Sequence, residues 1–296
     1  MIKAWIRAFR LRTLPLALAS VGLGSVLAYG HDSFHKDVLI WTIVTALMLQ
    51  ILSNLANDYG DYVKGTDDDV RADRALASGQ ISPGQMKTAL WTFVLLCLGS
   101  GGYLIYLAFG VPDLRSVIFF LTGILAITAA LKYTVGKGAY GYNALGDLAV
   151  LVFFGWVAVS GTMVLHEGNA DNIWMSLLPA TAFGLLSVGV LNINNIRDID
   201  GDRSNGKITV AVKLGRRTAE QYQMVTILAA FLLGALFHYY HGELLVSYYA
   251  LFPVYFWHWL RLRSFDHSDR PVYNRALKQF VLLNILWVVL FSMYSW

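Results

Sequence analysis

The sequence is poor in charge and almost free of cysteine. Asp, Glu, Lys and Arg make up only 14% of its 296 residues, while 56% are hydrophobic. A soluble domain usually carries about 25% charged residues, so this shortage excludes an ordinary soluble protein. The single cysteine, Cys97, lies in an apolar stretch, which excludes a disulfide framework and a cysteine-based metal site. The net charge of +4 is interpreted as membrane topology, and no nucleic-acid partner is expected.

Long apolar segments fill most of the chain. A helix needs about 20 predominantly apolar residues to cross a bilayer. Nine segments come near this length, at residues 13–30, 38–56, 88–109, 115–131, 146–165, 173–193, 219–237, 244–260 and 277–296. They predict an all-α membrane protein of about nine transmembrane helices, in which residues 1–296 form a single domain. The first segment is long and has no clear small-x-small cleavage site after it, so we expect an uncleaved span rather than a signal peptide.

The basic residues predict an orientation for these spans. With the N-terminus in the cytoplasm, all of the 23 Lys and Arg residues except Lys36 and Arg115 fall in inside segments, as the positive-inside rule requires. Nine spans then place the C-terminus outside. The short outer loops collect histidines whose spacing fits no known zinc pattern, namely His31, His35, His166, His238 and His241. We therefore expect the chemistry on the inner side.

Two inside loops, residues 57–87 and 194–218, are longer than the connections that packed helices need. Long loops in compact proteins are usually functional or disordered. The first loop opens within the run NLANDYGDYVKGTDDD, which contains Asn54, Asp58 and Asp61. Residues three or four apart on a helix share one face, so these three side chains are expected to point the same way.

The second long loop repeats this arrangement. Its run NNIRDIDGDRSNGK contains Asn194, Asp198 and Asp202, each four residues from the next, and they share one face if the sixth helix continues. Both clusters lie at the inner end of an even-numbered span, which gives an internal pseudo-repeat of the form Asn-x-x-x-Asp. Solvated helix ends would explain either cluster alone, but the matched positions and spacing favour a shared function.

Crowded carboxylates repel one another unless a cation lies between them, and an ionised residue near membrane depth costs roughly 2.5 to 3.5 kcal/mol. A structural role is therefore a poor explanation for both clusters. Oxygen ligands without His or Cys favour magnesium or calcium, and magnesium typically takes one or two carboxylates together with substrate phosphate oxygens. The four aspartates are the candidate catalytic residues. The predicted ligands of Mg²⁺ are Asn54, Asp58, Asp61, Asp198 and Asp202.

Cations lie between the acids in both loops. Arginine forks match phosphate oxygens bidentately, and lysine adds a point charge, so the combination predicts a site for a diphosphate. The candidate diphosphate-binding residues are Arg71, Arg74, Arg197 and Lys207, together with Tyr133 and Lys137 from the end of the fourth span. Arg216 and Arg217 are interpreted as interface anchors, and Asp147 as a structural residue.

At these residues the sequence resembles the UbiA superfamily of intramembrane aromatic prenyltransferases over almost the whole chain. The most specific pieces are QILSNLANDYGDYVKG, YTVGKGAYGYNALGDLAVLVFFG and NNIRDIDGDRSNGKITVAVKLG. The last two favour the branch of the family that acts on 1,4-dihydroxy-2-naphthoate. The arginine element of the family usually has a proline after its second Arg, whereas this chain has Ala75.

The first motif of the family also differs in one place. It is commonly written NDxxDxxxD, and Asn57, Asp58 and Asp61 match it, but Gly65 stands where the last Asp would be. Asp67 is the candidate substitute. Either this chain lacks the fourth metal ligand of the motif, or Asp67 takes the place of the missing Asp.

The resemblance implies a ring of nine helices around a central cavity, with both Asp-rich loops at its cytoplasmic mouth and a side opening for lipid, in a bacterial cytoplasmic (inner) membrane. It implies Mg²⁺-dependent transfer of a polyprenyl group from polyprenyl diphosphate to 1,4-dihydroxy-2-naphthoate, with loss of CO₂ and diphosphate, giving demethylmenaquinone. The alternatives are another aromatic acceptor, such as 4-hydroxybenzoate or homogentisate, and, in a different class, an ion or metal transporter. Transporters place ionisable groups near the bilayer midplane, whereas these acids lie at span ends.

Overall fold

The computed structural model describes residues 1–65, 75–241, 249–266 and 269–293, and the regular elements in these ranges are helices. In chain order they are α1 Ile2–Phe9, α2 Leu14–Gly30, α3 Lys36–Lys64, α4 Pro83–Phe109, α5 Leu114–Lys132, α6 Gly146–Glu167, α7 Ile173–Arg197, α8 Ile199–Ser204, α9 Val210–Leu214, α10 Arg216–Tyr240, α11 Phe252–Arg263 and α12 Arg270–Ser292. The predicted all-α fold is confirmed.

Eight of the described helical segments are long and apolar enough to cross a membrane, and α1 and α2 together form the first of them. The protein is therefore a multi-span membrane protein. The predicted segment at residues 244–260 corresponds to α11, and residues 242–248, which precede it, lie outside the described residues. The nine predicted segments thus match the eight qualifying helices and α11.

Three predicted boundaries are wrong in the same direction, because the helices are longer than their apolar segments. α3 continues to Lys64 although the loop was predicted from residue 57, α7 continues to Arg197, and α12 begins at Arg270 rather than near residue 277. Hydrophobicity marks the end of a span where polar residues begin. Here polar side chains of these end turns, such as Asp61 of α3, Asn195 of α7 and Tyr273 of α12, are buried, so the backbone stays helical past that point.

Local signals explain where several helices start and stop. Ser82 and Gln85 form a reciprocal capping box at the start of α4, with Pro83 in the first turn. α3 ends at Gly65, whose φ of +67° is a left-handed conformation that glycine adopts without strain, and whose N–H bonds to the carbonyls of Asp61 and Tyr62. The helix stop therefore explains why a glycine stands at the last position of the first Asp motif.

Two packed halves surround a common space. One core cluster joins α1, α3, α4 and α5, while a larger one joins α2 and the helices from α6 to α12. α2 packs against α3 as well as against α6 and α12, so it connects the halves. Helices approach most closely where a glycine removes the side chain, as at Gly24 on α2 against Val159 and Thr162 of α6.

Gly24→Ala tests this close approach, with Gly22→Ala on the same helix as its matched control. A Cβ at Gly24 would lie 2.8 Å from Cβ of Thr162 and closer still to the carbonyl oxygen of Val159, whereas a Cβ at Gly22 meets nothing within 4 Å. Overpacking of this kind costs about 1 to 3 kcal/mol. We expect Gly24→Ala to lower the melting temperature of the detergent-solubilised protein by several degrees, and Gly22→Ala to leave it unchanged. Equal melting temperatures for the two variants would show that the helices are not tightly packed here.

Candidate functional site

A cavity of about 1150 Å³ runs through the middle of the bundle. Its wall includes Ile173, which begins α7, and Asp198, which follows the last residue of the same helix. The 25 residues of α7 rise 1.5 Å each, so the cavity extends along about 37 Å. One end of its lining is rich in acids, amides and basic side chains, and the rest is mostly apolar, including Leu104, Phe119 and Phe153. The shape suits a long apolar molecule with a charged head.

The first pair of carboxylates, Asp58 and Asp61, lies on the last two turns of α3. Both side chains are buried, with relative exposures of 2% and 3% for the two residues, and both line the cavity. Between them, a Cβ on Gly60 would clash with Thr134, whose hydroxyl donates to the carbonyl of Ala56 at 2.8 Å. The glycine therefore lets the segment after α5 press against α3 and fixes the position of both carboxylates.

Arg10, at the end of α1, forms an ion pair with Asp58. Its backbone adopts a left-handed conformation with φ of 49°, which is unfavourable for an arginine. Beside it, the Asn54 amide donates to the carbonyl of Phe9 and to the hydroxyl of Thr13, both at 2.9 Å. These contacts hold the α1–α2 turn over the first carboxylate pair and leave the carbonyl oxygen of Asn54 as an acceptor.

The second pair, Asp198 and Asp202, lies where α7 passes into α8. The Asp202 N–H donates to the carbonyl of Asp198 at 2.8 Å, which keeps the helical register across the junction. α7 itself ends at Arg197 and Asp198 lies in the turn between the two helices, so the shared face of Asn194, Asp198 and Asp202 stays a prediction. Asp198 lines the cavity, while Asp202 is buried behind the lining, with Nζ of Lys207 3.8 Å from its carboxylate.

Two arginines hold Asp198. Arg197 binds it with Nε at 3.0 Å and Nη2 at 2.7 Å, and Arg270, from the first turn of α12, forms a second ion pair with Oδ1. Arg197 also donates to the side-chain oxygens of Asn194 and Asn274 at 2.6 Å each. All three nitrogens of the Arg197 guanidinium donate to side-chain oxygens, so the group is held in one orientation.

Tyr142 connects the two carboxylate pairs. Its hydroxyl donates to Asp61 at 2.8 Å, and its backbone carbonyl accepts from the N–H of Ile208 at 3.2 Å. The ammonium of Lys64 lies 3.4 Å from the centre of its ring, and that of Lys207 lies 5.6 Å away on the same ring. One aromatic residue thus bonds to the first Asp segment and to the segment that carries Lys207.

The predicted site residues separate into three groups. Most of them lie together around the polar end of the cavity: Asn54, Asp58, Asp61, Tyr133, Arg197, Asp198 and Lys207 line it, and Asp202 lies directly behind. Lys137 is exposed and is not among the lining residues. Arg71, Arg74 and Asp67 lie outside the described residues.

Sequence reasoning missed four polar residues of this end, namely Arg10, Tyr142, Arg270 and Asn274. Arg10 and Arg270 were counted only as topological cations, although that count did place them at the same membrane side as the acids. Their partners Asp58 and Asp198 are 48 and 72 positions away in the chain. No local spacing rule connects residues so far apart, so only the fold could reveal these pairs.

Comparison with known proteins gives the family. The model of the UbiA prenyltransferase family matches residues 16–286. The chain belongs to the UbiA prenyltransferase family. Its sequence is 40% identical over 312 aligned positions to a protein of Escherichia coli (strain K12) named 1,4-dihydroxy-2-naphthoate octaprenyltransferase, an alignment that covers 99% of this chain and 96% of the relative.

Solved structures of the UbiA family share the fold. A UbiA homolog from Aeropyrum pernix K1 in its apo form superposes with a TM-score of 0.64 at 19% identity, covering 96% of each chain. A UbiA homolog from Archaeoglobus fulgidus, bound to GPP and Mg²⁺, superposes with a TM-score of 0.63 at 14% identity, covering 99% of each chain. The expected UbiA-type ring of helices around a central cavity is therefore confirmed.

The side-chain oxygens of this UbiA site suit a magnesium ion only when a substrate supplies the remaining ligands. Within the described part of the chain, no three Asp, Glu, His or Cys side chains lie close enough to hold a metal by themselves. What the site offers is two pairs of carboxylates and several amide oxygens. Magnesium is commonly bound by one or two carboxylates and completed by water and substrate phosphates, so each pair suits one such ion.

Two phenols border the carboxylates. Burial, with a smaller contribution from Asp147 and other nearby carboxylates, raises the pKa of Tyr133 far above its usual value, and burial raises the pKa of Tyr140 to about 12. Both rings therefore stay neutral at physiological pH and keep their hydroxyl protons. Tyr140 donates its proton to the carbonyl of Ala129 at 2.9 Å, which fixes the segment that carries both tyrosines against α5.

The cavity also reaches the side of the bundle between α5 and α6. At the end away from the carboxylates these helices are tied together, because Arg115 donates to the carbonyl of Gly168. Farther along, the lining residues of α5 are small, as at Gly123 and Ala126, and Trp156 of α6 both lines the cavity and is 42% exposed. This stretch is the candidate for the side opening that the resemblance implied, which stays a prediction.

Arg10→Met tests whether Arg10 neutralises Asp58. Removing one partner of a buried pair leaves the other charge uncompensated, and we expect a loss of about 1 to 3 kcal/mol of stability, because the side chain of Arg10 is 23% exposed and that of Asp58 only 3%. The double variant Arg10→Met with Asp58→Asn should recover most of the loss. Lys3→Met, an exposed position on the same helix, is the control and should melt like the wild type. A double variant as unstable as Arg10→Met would instead assign the effect to packing of α1.

Proposed function

We propose that the protein transfers a polyprenyl group from polyprenyl diphosphate to 1,4-dihydroxy-2-naphthoate, with loss of CO₂ and diphosphate. The observation that carries this proposal is the 40% identity, over 99% of the chain, with a relative of that name from Escherichia coli. The site supports it independently, since two buried carboxylate pairs with cations lie at the head of a long apolar cavity. An ion or metal transporter does not need that cavity.

The carboxylate pairs are proposed to bind the donor head through Mg²⁺. Asp58 and Asp61 would ligate on one side, with the free carbonyl oxygen of Asn54, and Asp198 and Asp202 on the other. A bound divalent ion supplies Lewis-acid stabilisation of the charge that develops on the departing diphosphate. The UbiA homolog from Archaeoglobus fulgidus with GPP and Mg²⁺ supports this use of the fold.

The cations are proposed to bind the phosphate oxygens of the donor as well as the carboxylates. Arg10 on Asp58, and Arg197 and Arg270 on Asp198, neutralise the carboxylates. Guanidinium forks match diphosphate oxygens bidentately, so the same three arginines would also hold the diphosphate of the donor. Lys207, whose Nζ is 3.8 Å from Asp202, adds a further positive charge. Because Lys137 is exposed, this proposal leaves it out, and Arg71 and Arg74 keep their predicted role.

The chemistry follows from what this arrangement does to the donor. As the allylic C–O bond breaks, its electron pair leaves with the diphosphate and an allylic cation remains in the cavity. Apolar walls exclude water, and aromatic rings such as Phe153 and Phe154 can stabilise the cation by roughly 0.5 to 2 kcal/mol each. Tyr133 lines the cavity, and its neutral hydroxyl can donate a hydrogen bond to a diphosphate oxygen.

The acceptor ring then forms the new bond. The electron-rich carbon that carries the carboxylate attacks the allylic carbon, and the C–C bond to the carboxylate breaks, releasing CO₂ and returning its electron pair to the ring. The product is the prenylated hydroquinone, the reduced form of demethylmenaquinone. No electron enters or leaves in this sequence, so the transfer needs no redox cofactor.

The orientation is part of the same proposal. The positive-inside rule places the carboxylate end in the cytoplasm of a bacterium, within the inner membrane, and both substrates would reach the site there, the lipid donor from the side opening. In the structure Arg10, Arg197, Lys207 and Arg270 lie together at this end, which supports the basic bias on which the rule depends.

The activity is tested with membranes that contain the protein, a polyprenyl diphosphate and 1,4-dihydroxy-2-naphthoate labelled in its carboxyl group. We expect labelled CO₂ and a prenylated naphthohydroquinone to form together in Mg²⁺, and both to stop in EDTA and to recover when Mg²⁺ is restored. Product from 4-hydroxybenzoate but none from the naphthoate would keep the family and refute the acceptor. The absence of transfer to any aromatic acceptor by well-folded protein would refute the proposed activity itself.

A further inference from the structure

A second, smaller cavity of about 550 Å³ lies between the start of α10 and the end of α11, at the same end of the bundle as the carboxylates. It is lined by Arg216, Arg217, Glu220, Leu260, Arg263 and Ser264, and shares none of these residues with the large cavity. Three arginines against one glutamate leave it positively charged. Neither the fold family nor the proposed transfer assigns it a role.

The arginines of this cavity are held in place in different ways. Arg216 is held by two hydrogen bonds, which it donates to the carbonyl of Ile196 at 3.1 Å and to Asp200 at 3.2 Å. The guanidinium carbon of Arg263 lies over the ring of Trp259, 4.8 Å from its centre, and this contact restrains the guanidinium without using its N–H donors. Arg217 is exposed, and no acidic side chain of the described residues forms an ion pair with it.

Below the cavity, both helices present apolar faces outward. On α10, the line of Arg217 continues at spacings of three or four through the exposed Gln221 to exposed apolar side chains, at Val225 (58% exposed), Leu228 (42%) and Leu232 (68%). On α11, Leu260 is 44% exposed. A ligand in this groove therefore meets a basic pocket at its head and apolar surface along its length.

We propose that this cavity binds the phosphate group of an anionic phospholipid of the surrounding leaflet, with its acyl chains along α10 and α11. Basic pockets between membrane helices are suited to anionic lipid headgroups, and arginine forks match phosphate oxygens. The apolar faces below favour a lipid over a soluble anion. Because Arg216 also bonds to the last turn of α7, the bound phosphate would lie one side chain away from the segment that carries Asp198.

Positive charge at a membrane interface attracts anionic lipid even where there is no specific site. The chain contains an arginine that serves as a control for this non-specific attraction. Arg261 lies on the same helix as Arg263 and also stacks on a tryptophan, 4.9 Å from the ring centre of Trp257, but it does not line the cavity. Arg261→Gln removes one interfacial charge and leaves the pocket intact. Arg263→Gln removes the same charge from inside it.

The test is native mass spectrometry of the full-length protein, titrated in detergent micelles with phosphatidylglycerol, phosphatidylcholine or inorganic phosphate. We expect one phosphatidylglycerol to bind more tightly than further copies and than phosphatidylcholine. The double variant Arg217→Gln with Arg263→Gln should bind that lipid roughly 30-fold more weakly, while Arg261→Gln should match the wild type. Arg217→Gln alone, at an exposed position, should give an intermediate loss even if the double variant folds poorly.

Three results would overturn the proposal. Equal losses in Arg261→Gln and Arg263→Gln would show attraction by the interface as a whole, and equal affinity for phosphatidylcholine would show binding without recognition of net charge. Displacement of the lipid by millimolar inorganic phosphate would make the cavity a soluble-anion site. Since the readout is lipid binding rather than turnover, none of these results depends on the proposed prenyl transfer.

Discussion

The burial of four carboxylates at one end of an apolar cavity is the constraint on which the rest of the structure depends. Asp58, Asp61, Asp198 and Asp202 are each at most 5% exposed, and such charges are stable only beside cations and hydrogen-bond donors. Each of the described segments around this end supplies a cation or a hydrogen-bond donor to one of the carboxylates. These are Arg10 after α1, Arg270 on α12, Lys207 after α8 and the hydroxyl of Tyr142. The fold therefore presents carboxylates in matched pairs and a ring of cations around them, which is what a metal-bound diphosphate needs.

Much of this could be predicted from the sequence, because the signals are local. Apolar length gives the spans, and the basic residues give their orientation. The repeated Asn-x-x-x-Asp spacing marks residues that line one cavity, namely Asn54, Asp58, Asn194 and Asp198. The motif resemblance led to the correct family. Helix ends were misplaced because hydrophobicity marks where apolar residues stop, whereas the polar last turns of α3 and α7 remain helical and face inward.

The rest of the site depends on contacts between distant parts of the chain. Arg10 and Arg270 could not be separated from ordinary topological cations, since their spacing from Asp58 and Asp198 carries no pattern. Tyr142 lies in the run YTVGKGAYGYNALGD, which resembles the family, but its link between the two Asp segments depends on the turn that pairs it with Ile208. Lys137 shows the opposite case, because proximity in sequence to Tyr133 did not bring it to the cavity.

The most direct measurement is calorimetric titration of the purified protein with geranyl diphosphate and Mg²⁺, in the wild type and in Asp58→Asn, Asp198→Asn and Asp200→Asn. Asp200 is the matched control, since it lies in the second acidic run but its side chain is 80% exposed and pairs with Arg216 outside the cavity. If both carboxylate pairs hold one diphosphate, Asp58→Asn and Asp198→Asn should each weaken Mg²⁺-dependent binding by about tenfold or more, and Asp200→Asn should leave it unchanged. Wild-type affinity in either Asp58→Asn or Asp198→Asn would contradict the account.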